Sequence, residues 1–199
     1  MKIIELGSIF NTKESEFINK IIINNGVFIY PTDTLYGIGG NFFSIEVIEK
    51  IDKIKGRGDK PYSVAVSSVE MLKGIVKNIP EIFFKKYMKL LPGKYTFLFE
   101  IADFIDHALV KNSNKIGVRI PNSPEILKLI KNFGKPIITT SVNESGQLPL
   151  NSVNSIIKFI KKKGLDEDIE FIIDGGDLPD SGGSTIIDLT KDEPEYIVR

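Results

Sequence analysis

Two periodicities alternate along the chain. Segments with apolar residues spaced three to four apart, typical of amphipathic helices, lie between short runs of β-branched and aromatic residues. The first kind predicts helices over residues 11–25, 44–56, 69–76, 80–91, 123–134 and 152–164. The second kind predicts strands over residues 27–30, 62–66, 95–101, 116–120, 136–140, 171–173, 185–189 and 196–198. This alternation predicts a mixed α/β fold.

The helix boundaries have recognisable caps. Ser44 and Ser123 are typical N-cap residues, and Pro124 suits the first helical position because its missing N–H would be unpaired there anyway. Gly56 and Gly134 follow the last apolar positions, where helices commonly end. Neither a repeat nor a linker interrupts the pattern, so we expect one domain over residues 1–199.

Composition narrows the class of protein. The 199 residues are 42% hydrophobic, which is enough for a sizeable core. Lysine plus arginine and aspartate plus glutamate both number 26, which argues against a protein that coats nucleic acid or an anionic membrane. A local basic cleft remains compatible with this balance.

The residue inventory also limits the chemistry. The chain has no cysteine and a single histidine, His107, which excludes disulfides, thiolate nucleophiles and histidine-based metal cages. The composition does not exclude metal ions that bind oxygen ligands, such as Mg²⁺. Glu5 interrupts the apolar start, and no apolar run approaches the ~20 residues of a membrane span, so we expect a cytoplasmic protein.

Small polar clusters follow several predicted strands. The segment YPTDTLYGIGG covers residues 30–40, SVN covers 141–143, and DGG and SGGST cover 174–176 and 181–185. Ligands of α/β sheets tend to bind beyond strand ends, so the clusters predict one shared pocket. The glycines of the first cluster would let the backbone approach a ligand. For any single cluster, turn formation alone is the favoured explanation.

Familiar phosphate-binding motifs, such as the glycine-rich loop ending in Gly-Lys-Ser/Thr, are absent from the sequence. The best alternative is Lys55-Gly56-Arg57, at the predicted end of a helix. Unwound at Gly56, this segment would present both cations to one polyphosphate. The competing explanation is that Lys55 offsets the helix dipole.

Arg119 is the only charged residue in the apolar segment from Ile116 to Ile120. Such an arginine points to solvent, faces a carboxylate, or binds an anionic ligand.

Six motifs together resemble one family. YPTDTLYGIGG, IDKIKGR, PGKYTFLF, IGVRIP, PIITTSVNESG and STIIDLT stand in the order and spacing of the YrdC-like threonylcarbamoyl-AMP synthases, over most of the chain. The most specific part is the pair of short motifs formed by Lys55 with Arg57 and by Ser141 with Asn143.

The resemblance implies a single-domain twisted mixed sheet flanked by helices, with a concave cavity for ATP and L-threonine. The implied reaction joins L-threonine, bicarbonate and ATP, with Mg²⁺, into threonylcarbamoyl-AMP and pyrophosphate. A separate tRNA threonylcarbamoyl transferase would use the product at adenosine 37 of tRNA.

The resemblance also assigns residues to the two substrates. Lys55 and Arg57 would be catalytic and would hold the triphosphate and carbamate. The implied threonine-binding residues are Thr34, Arg119, Thr139 and Ser184, and the implied ATP-binding residues are Lys55, Arg57, Lys115, Ser141, Asn143 and Arg199.

Three features depart from the family pattern. Asp33 stands where the family usually has glutamate, the stretch after Arg57 is about one residue shorter and lacks a histidine near Val66, and Arg199 ends the short single-domain form. Two alternatives therefore remain: an RNA-binding module that contacts tRNA or double-stranded RNA, and a paralogue that serves a different carbamoyl acceptor.

Overall fold

A computed structural model describes residues 1–56 and 60–197. Its helices are α1 Thr12–Ile23, α2 Ile45–Lys55, α3 Val69–Lys73, α4 Pro124–Phe133 and α5 Val153–Lys163. Short 3₁₀ turns cover Leu6–Ser8, Met88–Leu90 and His107–Val110, and a π-helical turn covers Phe83–Tyr87. Among the described residues, no helix is long and apolar enough to cross a membrane.

The described residues form ten strands in one mixed sheet. These strands are β1 Lys2–Glu5, β2 Phe28–Pro31, β3 Tyr36–Gly39, β4 Ser63–Ala65, β5 Tyr95–Glu100, β6 Lys115–Arg119, β7 Ile137–Ser141, β8 Phe171–Asp174, β9 Thr185–Asp188 and β10 Glu195–Ile197. Their order is β1-β8-β2-β3-β7-β4-β6-β5-β9-β10. Pairs β1–β8, β2–β8, β4–β6 and β5–β9 are parallel, and the other neighbours are antiparallel.

The predicted helix boundaries have physical causes in the structure. The Ser44 hydroxyl accepts a hydrogen bond from the Val47 amide at 3.3 Å, which satisfies one of the free N–H groups at the start of α2. Gly56 ends α2 in the left-handed conformation, with φ of 63°. Ser123 precedes α4 without a side-chain cap bond, and Pro124 begins the helix.

Helices cover both faces of the sheet. Consecutive residues of a strand point to opposite faces, so Phe28 and Tyr30 pack with α1 and α4, whereas Ile29 packs with α2 and α5. Because β2 and β8 are buried on both faces, their sequences are almost continuously apolar. The mixed α/β fold predicted from the alternation is confirmed.

Two strands were not predicted. Residues 36–39, read as part of a polar loop, form β3 between β2 and β7. A Cβ atom at Gly39 would lie 2.7 Å from the Tyr30 ring, so this glycine makes room for an aromatic core residue rather than for a ligand. The short β1, which includes Glu5, pairs in parallel with β8.

The segment over residues 80–91 does not form the single α-helix that the sequence predicts. It forms a π-helical turn followed by a 3₁₀ turn. Phe83 and Tyr87 are buried there, and their rings pack against Phe97 at centroid distances of 5.4 and 5.7 Å. Ring packing on β5 therefore prevails over local helix propensity in this segment.

Candidate active site

A cavity of about 560 Å³ opens in the middle of the sheet, a volume in the range of small-ligand sites. Strands β3, β7, β4 and β6 are neighbours at this place, and side chains from β5 and from the approach to β9 complete the wall. Seven of the residues predicted for the site line it: Thr34, Lys55, Arg119, Thr139, Ser141, Asn143 and Ser184. The clusters over residues 30–40, 141–143 and 181–185 thus share one pocket, whereas residues 174–176 do not line it.

Lys55 brings a buried positive charge to the cavity. It is the last residue of α2 and is 2% exposed. Its ammonium donates to the Ser141 carbonyl at 2.7 Å and to the Asn143 Oδ1 at 2.5 Å. A lysine that only offset the helix dipole would lie in solvent, so this geometry favours the ligand-binding interpretation of Lys55.

Ser141 and Asn143 provide the oxygen atoms that accept hydrogen bonds from the Lys55 ammonium. The Ser141 hydroxyl donates to the Asn143 Oδ1 at 2.7 Å, and the Asn143 amide donates to the Gln147 carbonyl at 2.5 Å. The Asn143 side chain therefore ties the loop after β7 to the end of α2. This contact explains why the two short motifs, 86 and 88 residues apart, belong to one structural unit.

Thr34 is held by a tight turn between β2 and β3. The Thr32 hydroxyl accepts from the amides of Thr34 and Leu35 at 3.2 and 3.1 Å and donates to the Leu35 carbonyl at 2.7 Å. This turn fixes the Thr34 hydroxyl 3.1 Å from that of Thr32. The polar segment after β2 is thus both a turn and a part of the cavity wall.

Arg119 faces a carboxylate instead of solvent. Its Nη2 donates to Asp33 Oδ1 at 2.5 Å and its Nη1 donates to Thr34 Oγ1 at 3.0 Å. The two charged side chains are 7% and 8% exposed. Burial lowers the pKa of the guanidinium, while the nearby Asp33 and Tyr30 raise it. An arginine side chain keeps its charge under these conditions.

Tyr30 lies behind Arg119. It is fully buried, and burial raises the pKa of its hydroxyl to about 12, although hydrogen bonding with Thr139 and the Arg119 charge lower it. The guanidinium therefore stands between a polar cavity and an apolar core.

Two hydroxyls from neighbouring strands form another part of the wall. Thr96 on β5 and Ser184 before β9 are both buried, and their Oγ atoms are 2.6 Å apart. Thr96 was not predicted as a site residue, although it lies within the motif PGKYTFLF. Successive residues of a strand point to opposite faces of the sheet, so Thr96 points away from the face that Phe97 occupies. This alternation was the signal in the sequence that could have identified Thr96.

Lys115 does not line the cavity. It begins β6, so about 13 Å of strand separates its Cα atom from that of Arg119. Its ammonium pairs with Asp188 at 2.8 Å. The structure thus does not bring Lys115 to the other predicted ATP-binding residues. Arg57 and Arg199 lie outside the described residues.

A protein-held metal site is not built from the part of the chain that the structure describes, since no three acidic or histidine side chains cluster there. Asp33, the acidic residue next to the cavity wall, is already paired with Arg119. The cavity is instead suited to an anionic ligand that accepts hydrogen bonds, because cationic side chains and hydroxyl groups line it.

A family model named for Sua5, YciO and YrdC, with the description telomere recombination, matches residues 20–199. The chain belongs to this family. The model covers the helices and strands that carry Lys55, Arg119 and the loop after β7.

Two relatives show how much of the chain the likeness covers. A Methanocaldococcus jannaschii protein is 33% identical over 194 residues, which is 97% of this chain and 88% of the relative. The threonylcarbamoyl-AMP synthase of Pyrococcus abyssi is 31% identical over 166 residues, which is 83% of this chain and 47% of the relative. The chain spans about half the length of the P. abyssi relative.

The solved structure of P. abyssi Sua5 complexed with L-threonine has the same fold, with a TM-score of 0.85 and 28% identity. The match covers 98% of this chain and 56% of that one. The family relationship predicted from the motifs is therefore confirmed at the level of both sequence and fold.

Proposed function

We propose that this protein is an L-threonylcarbamoyl-AMP synthase, which condenses L-threonine, bicarbonate and ATP into threonylcarbamoyl-AMP and pyrophosphate. The observation that carries the proposal is the convergence of Lys55 and Arg119, two buried cations from α2 and β6, on one cavity of about 560 Å³. Two similarities support the assignment: the relative from P. abyssi is named a threonylcarbamoyl-AMP synthase, and this chain has the fold of the Sua5 structure with bound L-threonine.

The chemistry requires positioning and charge more than it requires an enzyme nucleophile. The neutral amine of threonine forms a bond to the carbon of bicarbonate, and water leaves, which gives a carbamate. A carbamate oxygen then attacks the α-phosphorus, and the bond to pyrophosphate breaks. Holding three reactants together and balancing the phosphate charge can supply most of the acceleration. The absence of cysteine from the chain is compatible with this scheme.

The threonine end of the cavity is proposed around Arg119. A guanidinium forms paired hydrogen bonds with a carboxylate, and the Thr34 hydroxyl lies 3.0 Å from its Nη1. Thr139 and Ser184 line the same cavity and offer hydroxyls to the rest of the amino acid.

The phosphate end is proposed around Lys55. Its ammonium is oriented by the Ser141 carbonyl and by Asn143, so that a bound triphosphate meets a preorganised charge. Arg57 and Arg199 remain predictions for this end of the site. Lys115 is left out, because it pairs with Asp188 away from the cavity.

Mg²⁺ is proposed to enter as a complex with ATP. Proteins commonly hold Mg²⁺ through substrate phosphates and few carboxylates, which agrees with the lack of an acidic cluster in the described residues. When bound, the ion would neutralise phosphate charge. The product would pass in the cytoplasm to a tRNA threonylcarbamoyl transferase.

Pyrophosphate release tests the proposal. We expect release only when threonine, bicarbonate and ATP are all present, and we expect Lys55→Ala to reduce it by about 100-fold or more, because a buried charge at the phosphates is lost. Lys53→Ala is the matched control, since Lys53 lies one half-turn earlier on α2 and pairs with Asp168 at the surface. Release that does not depend on threonine, or equal effects in the two variants, would refute the assignment.

A further inference from the structure

The pair formed by Asp33 and Arg119 has one hydrogen bond fewer than its chemistry allows. Asp33 Oδ1 and Arg119 Nη2 are 2.5 Å apart, but Asp33 Oδ2 and Arg119 Nε are buried without a partner among the residues that the structure describes. A guanidinium can present Nε and one Nη side by side to the two oxygens of a carboxylate. The two unpartnered atoms are thus the donor and acceptor of the missing bond.

Asp33 lies behind the cavity wall. Its neighbours Thr32 and Thr34 line the cavity, whereas Asp33 does not, and its side chain is only 8% exposed. A ligand in the cavity therefore meets Arg119 and Thr34 but not the Asp33 carboxylate. Any effect of Asp33 on a ligand has to act through the guanidinium.

We propose that Asp33 is a positioning residue that anchors the Arg119 guanidinium through Nη2 and so presents its remaining Nη N–H groups to the substrate carboxylate. The inference rests on the proposed function. The Thr34 hydroxyl fixes Nη1 from the other side at 3.0 Å, so the guanidinium plane is set by two partners from one turn. A long, flexible arginine otherwise has to lose rotational freedom when a ligand binds.

The same pair sets the electrostatics of the subsite. Asp33 neutralises the Arg119 charge at contact distance, so the subsite does not attract anions by charge alone. Recognition then depends on direction: the carboxylate has to align with the N–H groups that Asp33 and Thr34 leave available. Asp33 is accordingly a determinant of affinity for ligands that have a carboxylate, and has little effect on those that lack one.

A two-by-two comparison of protein and ligand tests this inference. Binding of L-threonine and of L-threoninol, in which CH₂OH replaces the carboxylate, is measured by calorimetry with the full chain. We expect Asp33→Asn to weaken threonine binding by about tenfold or more, because the lost orientation of the guanidinium outweighs the gain in net positive charge, and to leave threoninol binding within about threefold. The ratio of the two affinities is the readout that a general structural role would leave unchanged.

Two further variants act as controls. Asp188→Asn makes the same change at another buried aspartate, which pairs with Lys115 outside the cavity, and it should leave the affinity ratio unchanged. Asp33→Glu keeps a carboxylate next to Arg119, so its ratio should stay within about threefold of the wild-type ratio. If Asp33→Asn does not fold, the Asp33→Glu protein decides the matter, and a ratio about tenfold lower in it contradicts the inference.

The outcomes separate the two proposals. An unchanged ratio in folded Asp33→Asn, or equal weakening of both ligands, overturns the positioning role and leaves the proposed function intact. Failure of the wild-type protein to bind threonine overturns the proposed function itself.

Discussion

The two ends of β6 each have a cation paired with one carboxylate, but the two pairs differ in what surrounds them. At one end, Lys115 pairs with Asp188, whose other oxygen accepts from the Thr190 amide and hydroxyl at 2.9 and 2.7 Å. At the other end, Arg119 pairs with Asp33, and within the described part of the chain both residues keep one buried polar atom without a hydrogen-bond partner.

This difference distinguishes an ion pair away from the cavity from one at the wall of the candidate site. Both oxygens of the Asp188 carboxylate have hydrogen-bond partners, and neither residue of this pair lines the cavity. The Arg119 pair lies against a cavity with N–H groups to spare. Unused hydrogen-bonding capacity at a cavity wall is therefore more informative than the presence of a buried charge.

The largest expected effect comes from removing the cation at each end in turn. Arg119→Ala should lower threonine-dependent pyrophosphate release by about 100-fold or more, since it removes the N–H groups that would bind the substrate carboxylate and leaves Asp33 buried without its partner. Lys115→Ala should leave release within about threefold of wild type. Steady-state assays of both proteins, with thermal melting to verify folding, provide the comparison. Similar losses in both variants would remove the distinction between the two ends of β6.

A smaller effect is expected from Asp188→Asn. Because Asp188 is buried and accepts several hydrogen bonds, this change should lower the free energy of unfolding by about 2 kcal/mol. Pyrophosphate release per folded molecule should not change. Urea unfolding measures the first quantity, and a loss of activity without a loss of stability would argue that this end of β6 also takes part in the reaction.

The effect of Asp188→Asn on the free energy of unfolding should depend on pH. Although partial burial raises the pKa of Asp188, hydrogen bonds from Lys115 and Thr190 and the Lys115 charge lower it, and the net shift is downward. A lowered folded-state pKa stabilises the protein above the ordinary aspartate value of about 3.9, and this contribution is lost as the pH falls further. The wild-type advantage over Asp188→Asn should therefore shrink below about pH 4. An advantage that stays constant between pH 7 and pH 3, approximately the range of aspartate titration, would contradict this account.

The smallest expected effect concerns Tyr30, which backs Arg119 from the core. Its pKa is raised to about 12, so ionisation of the unfolded chain near pH 10 costs the folded state stability as the pH rises. Tyr30→Phe should remove this loss, which amounts to about 1 kcal/mol at pH 11. Unfolding free energies of both proteins at pH 8 and pH 11 test it. An equal alkaline loss in both would show that Tyr30 ionises freely in the folded protein.

Much of the fold could be predicted because its signals are local. The caps at Ser44 and Gly56 depend on one or two residues, and the apolar periods of α2 and α5 are clear. The strand β3 was missed because its glycines resemble a loop, and only the ring of Tyr30 across the sheet explains Gly39. Ring packing from β5 likewise decides the conformation of Phe83–Tyr87. Contacts between distant segments are absent from a local pattern.

The candidate site shows the same division. Seven of the residues that line the cavity were predicted from the motifs, including Lys55, Arg119 and Asn143. The motifs also grouped Lys115 with these residues, since four positions along one strand are near in sequence but far apart in space. Thr96 was missed because its partner, Ser184, is 88 residues away. The role of Asp33 could not be predicted from sequence, because it depends on which atoms of Arg119 are left without partners.

The most direct test of the central claim is mass detection of the product. Purified protein is incubated with ATP, bicarbonate and one amino acid at a time, and the mixture is analysed for carbamoyl-adenylates. We expect threonylcarbamoyl-AMP with threonine, and no corresponding adenylate with valine, which lacks the hydroxyl. Absence of the product with threonine, from folded protein that binds ATP, would contradict the account.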